Sequence, residues 1–191
     1  MSAPLSNNME ATRRRLTGKQ AETVERLSRA AVTVLTREGY AGTTIRLIAA
    51  EAGIGTATAY TYFSSKEHLI AEVYWRRLAA MPPAELPDAD NATRAIAVLR
   101  QAAMLVADEP ALAAAIGQAL LGSDPDVAHL RVRIGGELRT RLVEAVGSEN
   151  AESLEYLELL YYGAMLRAGM GHMSYTDVAD RMEKCIHLLL A

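Results

Sequence analysis

The sequence predicts an all-α protein of about nine helices, a three-helix head followed by a larger helical body. Three observations predict it. Apolar residues recur at three- and four-residue intervals in segment after segment. No segment alternates apolar with polar residues as a half-buried strand does. Glycine or proline stands where the helical pattern breaks, at Gly39, Gly53, Pro82-Pro83, Pro110, Pro125 and Gly147. With 191 residues, half of them apolar, the chain suffices for one compact domain or two small ones sharing an interface.

Residues 1–16 lack periodicity and mix Ser, Asn, Pro and Arg, so they read as a disordered basic arm; Arg13-Arg14-Arg15 reads first as a solvated charge run, with a minor-groove contact as the alternative. Helix 1 is expected from about Thr17 to Glu38, with Val24, Leu27, Ala31, Val34 and Leu35 on one face and Gly39 as its stop. Residues 17–64 form the expected DNA-binding unit. Ile45, Ile48, Ala49 and Ala52 make one face of a short second helix. Gly53 follows where a helix needs a left-handed residue to stop, and Ile54 plugs the corner. A third helix, Thr56 to Phe63, carries hydroxyls at Thr56, Thr58, Tyr60, Thr61 and Tyr62, which suit phosphates and base edges better than a core. Helix, glycine turn and helix spell a helix-turn-helix, which lays its second helix in the DNA major groove.

Ser64 stands three residues before Glu67, a capping-box spacing that starts helix 4 at Ser64 or Ser65. Lys66 falls in that helix's first turn, where the helix dipole disfavours it and a DNA phosphate would offset the cost. Helix 4 runs to about Met81, where Pro82-Pro83 stops it and leaves its far end free to move apart from helix 5. As residues 65–81, it links the head to a body that spans 65–191. Helix 5 covers about Asn91 to Ala107, with the sequon-like Asn91-Ala-Thr93 read as a helix start. Helix 6 covers about Pro110 to Leu121, and helix 7 about Pro125 to Val146. Helix 8, about Glu149 to His172, is apolar on two sides, so it is expected to bury one side in its own core and the other in a second copy of the chain. Helix 9, about Tyr175 to Leu190, carries one apolar stripe.

The stretch Gly53-Ile-Gly-Thr-Ala-Thr-Ala-Tyr-Thr-Tyr-Phe-Ser-Ser-Lys-Glu-His-Leu69 resembles the signature of the tetracycline-repressor (TetR) family of bacterial regulators, and Thr43-Thr44-Ile45 with Ile48-Ala49 resembles the helix that precedes it. The likeness is specific from about Ala21 to Trp75. Two positions depart from the pattern: Gly55 stands where serine is common and Thr56 where a basic residue is frequent. Tyr175–Arg181 weakly resembles actinobacterial regulators of lipid and sterol metabolism.

The resemblance implies a transcriptional regulator, most simply a repressor, that binds a palindromic double-stranded operator as a homodimer and releases it on binding a small, largely hydrophobic effector among helices 4 to 8. The expected DNA contacts are Thr44, Thr56, Ala57, Thr58, Tyr60, Thr61, Tyr62 and Lys66. The expected effector pocket is Trp75, Met104, Leu120, Tyr161, Tyr162 and Met165. The expected dimer face is Leu160, Gly163, Leu166 and Met170 with Met182 and Ile186. An alternative keeps DNA binding and makes the body a protein-interaction module without effector.

Charge agrees with that division. The net charge is −3, but residues 1–80 hold 11 Lys+Arg against 7 Asp+Glu, while residues 81–191 hold 9 against 16. The positive half carries the helix-turn-helix, as phosphate attraction requires. No enzyme, cofactor or metal is expected. The four histidines are scattered, no Glu-x-x-His of a bundle metalloenzyme occurs, and no phosphate loop, dinucleotide fingerprint or nucleophile elbow is present. A single cysteine, Cys185, the absence of an apolar leader and the absence of a membrane-length apolar run point to the cytoplasm. Arg167 reads as a surface arginine whose stem lies along helix 8.

Overall fold

A computed structural model describes residues 18–86, 88–149 and 151–190. The described residues form nine α-helices and no strand: α1 (Gly18–Gly42), α2 (Ile45–Glu51), α3 (Thr56–Tyr62), α4 (Lys66–Ala80), α5 (Asn91–Met104), α6 (Pro110–Leu120), α7 (Pro125–Val146), α8 (Ala151–Gly169) and α9 (Tyr175–Leu189). None of them is long and apolar enough to cross a membrane. The arm Arg13-Arg14-Arg15 lies outside the described residues.

The expected breaks are present, and several helices differ at their ends, among them α1, α5 and α8, the last running Ala151–Gly169 rather than about Glu149 to His172. Gly39 interrupts α1 with φ 68°, but the chain resumes one more helical turn to Gly42. Thr43, fully buried, locks that turn by donating its hydroxyl to the Gly39 carbonyl at 2.7 Å. Helix α5 stops at Met104, because residues 105–108 turn toward Pro110, which opens α6.

Head and body share one continuous core. Leu27, Ala31, Val34 and Leu35 of α1 bury fully with Ile48 and Ala49 of α2 and with Phe63. Each large apolar side chain in such a set contributes about 1.5–3 kcal/mol by leaving water. Helix α4 packs on α1 on one side and on α6 and α7 on the other. Helix α1 also lies directly on α6. The head is therefore joined to the body by two helices, where the sequence suggested one.

The far end of α4 is also not free. The Arg141 guanidinium of α7 donates to the carbonyls of Leu78 (3.3 Å), Met81 (2.8 Å) and Pro82 (3.1 Å). Gln101 of α5 donates to the same Pro82 carbonyl at 3.1 Å. The two prolines remove backbone donors but leave carbonyls exposed at the helix end, and a five-donor guanidinium takes them.

Candidate nucleic-acid interface

The turn between α2 and α3 is set by backbone chemistry. Gly53 takes φ 63°, the Ile54 N–H reaches back to the Ala49 carbonyl at 2.8 Å and the Gly53 N–H to Ala50 at 3.0 Å. This is the paired closure that a left-handed glycine permits after a helix. Arg26 of α1 strengthens it by donating to the Ala52 carbonyl at 2.5 Å and to that of Gly53 at 3.4 Å. The angle between α2 and α3 is thus fixed from three sides.

Helix α3 divides cleanly. Ala59 and Tyr62 face the core with Phe63, while Ala57, Thr58, Tyr60 and Thr61 are exposed and Thr56 is half-buried. Tyr60 keeps about half its surface, 49%, in solvent. The Thr61 hydroxyl donates to the Thr58 carbonyl at 2.6 Å, which orients it and leaves its oxygen free to accept. Gly55, the residue before α3, provides no side-chain cap, so the first N–H groups of the helix stay open. Small groups at Ala57 and Thr58 beside one large phenol give a low ridge of methyls and hydroxyls, the surface that can meet thymine methyls and base-edge acceptors.

Three expected contacts take different positions. Tyr62 is only 7% exposed and belongs to the core face of α3, because its spacing from Ala59 places both on the inner side. Thr44 is exposed but already engaged: its side chain caps α2 by accepting the Leu47 N–H at 3.2 Å. The Lys66 ammonium donates to the Tyr40 carbonyl at 2.7 Å and lies 4.2 Å over the Tyr40 ring. That carbonyl and ring offset the dipole cost the sequence assigned to a phosphate. A cation absent from the sequence reading stands exposed on α2 instead: Arg46. The pattern hid it because polar exposed positions on a supporting helix carry no periodic signal.

Where the head meets the body, polar side chains converge. Ser65, not Ser64, caps α4 by accepting the His68 N–H at 3.0 Å. Asp124 caps α7 by accepting the Asp126 N–H at 2.8 Å, and also accepts the hydroxyls of Ser64 (2.9 Å) and Ser65 (2.5 Å). One carboxylate thereby anchors the starts of two helices. Burial pushes the Asp124 carboxyl up, but the Ser65 hydroxyl, the Asp126 N–H, the Ser64 hydroxyl and nearby His68 outweigh it and hold it below the ordinary value. Tyr40 donates to Glu67 at 2.8 Å; its phenol is pushed up to about 12 by burial and by that bond. Tyr40, Ser64, Glu67, Asp124 and Asp126 line an open cleft of about 650 Å³. Asp124 carries no local sequence signal, since its partners lie about 60 residues away.

The expected effector residues differ in burial. Trp75 and Tyr161 are buried, Leu120 and Met165 are half-buried, and Met104 and Tyr162 lie on the surface at 39% and 45% exposure. Met104 is outside because α5 ends there. Tyr162 turns outward and sets its hydroxyl over Gly135, where an added Cβ would lie 3.2 Å away. Inside, Tyr74 and Tyr161 share a hydroxyl hydrogen bond of 3.0 Å. Burial, then its neighbour Tyr74, keep the Tyr161 phenol well above its ordinary value. The Arg133 guanidinium lies 4.5 Å from the Trp75 ring centroid. The indole N–H of Trp75 and one oxygen of the fully buried Glu72 have no protein partner.

On the dimer face, Gly163, Leu166 and Met170 are exposed and Leu160 is half-buried, while Met182 and Ile186 are buried inside the chain against α5 and α8. Outward apolar residues include Tyr156, Leu159, Tyr162 and Leu166 on α8 and Met170 just past its end, with Leu188 and Leu189 at the end of α9. Arg167 is exposed, and Glu158 pairs with Arg139 at 3.0 Å.

Comparison with known proteins bears on this geometry. The family model of bacterial regulatory proteins of the tetR family matches residues 27–73, from the middle of α1 into α4. The uncharacterized HTH-type transcriptional regulator Rv0767c of Mycobacterium tuberculosis H37Rv is 40% identical over 176 residues, 91% of this chain and 83% of that protein. The HTH-type transcriptional repressor KstR of Rhodococcus jostii RHA1 is 25% identical over 183 residues, 90% of this chain and 84% of that protein. Among solved structures, a TetR transcriptional regulator from Rhodococcus sp. RHA1 superposes with a TM-score of 0.72 at 24% identity, over 91% of this chain and 98% of the other.

Proposed function

Because the chain belongs to the TetR family of bacterial transcriptional regulators, which are not enzymes, we propose that it represses transcription by binding a near-palindromic operator as a homodimer and releases it on binding a small, largely hydrophobic effector. The observation that carries the DNA-binding part is the split of α3: a hydroxyl-rich outer face held rigidly by Gly53, Arg26 and a buried inner face. Ala57, Thr58, Tyr60 and Thr61 read base edges, with Thr56 beside them. Arg46, and Thr44 through its hydroxyl hydrogen, which the Leu47 cap leaves free to donate, meet phosphates. A single short helix reads too few base pairs for high specificity, so two heads related by a dyad read half-sites one helical turn, or a multiple, apart. The similarity to a named repressor supports the sign of regulation.

The unpaired Trp75 N–H and Glu72 oxygen, beside Arg133 and the Tyr74–Tyr161 pair, support an effector site on the inner side of α4. Buried polar atoms without partners cost free energy, and a ligand that satisfies them recovers it. An effector there acts by shifting α4 together with α7 and so respacing the heads.

The test is fluorescence anisotropy with duplexes tiled from the region upstream of the protein's own coding sequence. A duplex bound at least 1,000-fold tighter than scrambled DNA is the order expected of a specific operator. Equal affinity for all duplexes across the salt range rejects the reading.

A further inference from the structure

We propose a second small-molecule site, for an organic acid, in the cleft between α1 and α4 on the opposite side of α4 from Trp75. The cleft has a volume of about 420 Å³ and is lined by Glu25, Ser28, Arg29, Val32 and Thr33 of α1, Val73, Arg76 and Arg77 of α4, and Glu109 before α6. That volume falls in the range of metabolite sites.

Two donors in its wall have no partner. Ser28 is 8% exposed, and its hydroxyl is buried without a hydrogen bond. This is unusual within α1 itself: Thr23, Thr33 and Thr36 each donate to the carbonyl four residues back, at 3.0, 3.3 and 2.9 Å. Helix hydroxyls take that bond by default when nothing else is offered. Ser28 does not. The second donor is Nη2 of Arg76, also buried and unpartnered, although Nε of the same guanidinium is held by Glu72 at 2.8 Å. Glu72 thus orients Arg76 and leaves one N–H edge over. Nη2 of Arg77, by contrast, is taken up by Glu109 through two bonds of 3.0 and 2.9 Å.

The chemistry of the occupant follows from this set. A neutral hydroxyl and a cationic N–H both ask for an acceptor, and a carboxylate answers both at once. Val32 and Val73 ask for carbon. Glu25 and Glu109 at the same cleft disfavour a second anionic group, so a monocarboxylate with a short apolar chain fits better than phosphate or a diacid. The site touches α1 and α4, the two helices that join head to body, so its filling bears on head orientation.

The experiment is amide and methyl NMR of the full chain titrated with hexanoate, with hexanamide and inorganic phosphate as comparators. Saturable shifts at Ser28, Val32 and Val73 are expected with hexanoate. Affinity should fall about tenfold or more in Arg76→Lys and severalfold in Ser28→Ala, the scale of one lost hydrogen bond to a charged group. Both substitutions are mild enough to keep the fold, and unchanged far-field resonances check that. Unchanged hexanoate affinity in both variants, shifts confined to Trp75 and its neighbours, or equal binding of hexanamide would each overturn the site. Phosphate binding as tight as hexanoate overturns the organic-acid assignment. No DNA enters the measurement, so its failure is separate from any failure of operator binding.

Discussion

Single residues carry distinct duties in the head, and their substitutions separate them. Tyr60 is half in solvent, so Tyr60→Ala should leave thermal stability within about 0.5 kcal/mol. It should cost about 1–3 kcal/mol of operator binding and relax sequence preference. Arg46→Ala should weaken all duplexes alike and flatten the dependence of log affinity on log salt by about one. Lys66→Ala should instead lower stability, because its ammonium already serves the Tyr40 carbonyl and ring. Titrating each variant at three salt concentrations checks the division; a flattened slope for Lys66→Ala with Arg46→Ala unchanged reverses it.

Glu72 has a different kind of effect. It is fully buried with a single salt-bridge partner, and burial, opposed by Arg76 and Arg133, pushes its carboxyl up to about 7. The folded chain then holds a proton that the unfolded chain has released between about pH 4.5 and 7, so stability from this residue falls as pH rises through that window. Glu72→Gln removes the loss, and should be relatively more stable at pH 8 than at pH 5 by up to about 3 kcal/mol. Denaturant melts of both chains at the two pH values measure it; parallel pH profiles would show that Glu72 stays ionised.

At the scale of elements, α8 shows how far sequence reading reaches. Its double apolar face was legible, and the outward side at Leu159, Gly163, Leu166 and Met170 follows one helical stripe. Leu160 is half-buried, and the α9 residues Met182 and Ile186 lie inside the chain. Periodicity finds a stripe but not which neighbour covers it, and α5 covers α9. The helix-turn-helix was legible to the residue because Gly53 and the local spacing determine it. Asp124, Arg141 and Arg26 were not, since each bonds to groups far along the chain. Within the expected effector set, Met104 and Tyr162 are apolar enough for an interior but lie at the surface, Met104 at the end of α5 and Tyr162 with its hydroxyl over Gly135. The exposed stripe of α8 is too apolar to face water without function. Leu159→Glu and Leu166→Glu should each yield folded monomers with little operator affinity, as sedimentation and circular dichroism together would report; dimers surviving in both would move the interface elsewhere.

At the scale of the molecule, the arrangement of α4 and α7 decides how a body can speak to a head. The two run parallel and are clamped at both ends: Asp124 at the start of α7 holds Ser64 and Ser65, and Arg141 near its end holds Leu78, Met81 and Pro82. A helix gripped twice moves as a rod with its partner rather than bending at a free end. Ligand binding that shifts α7 therefore shifts α4 and the reading head with it, provided the ligand favours one arrangement over the other. Asp124→Ala should open the near clamp. It removes a helix cap, worth about 1 kcal/mol of stability, and in addition frees the head to sample wrong spacings. Ser174→Ala removes the cap of α9, which accepts the Asp177 N–H at 3.0 Å far from the head, and serves as the matched loss. Both variants should lose similar stability. Only Asp124→Ala should lose operator affinity, by about fivefold or more, the equivalent of about 1 kcal/mol, with faster hydrogen exchange at the start of α4. Since the Asp124 carboxyl lies below its ordinary value, its contribution is full at neutral pH and fades only as pH falls through the acid range. The affinity gap between the two variants should therefore persist from pH 6 to pH 8. Equal operator affinity for the two would mean that α1, resting on α6, holds the head without help from this clamp.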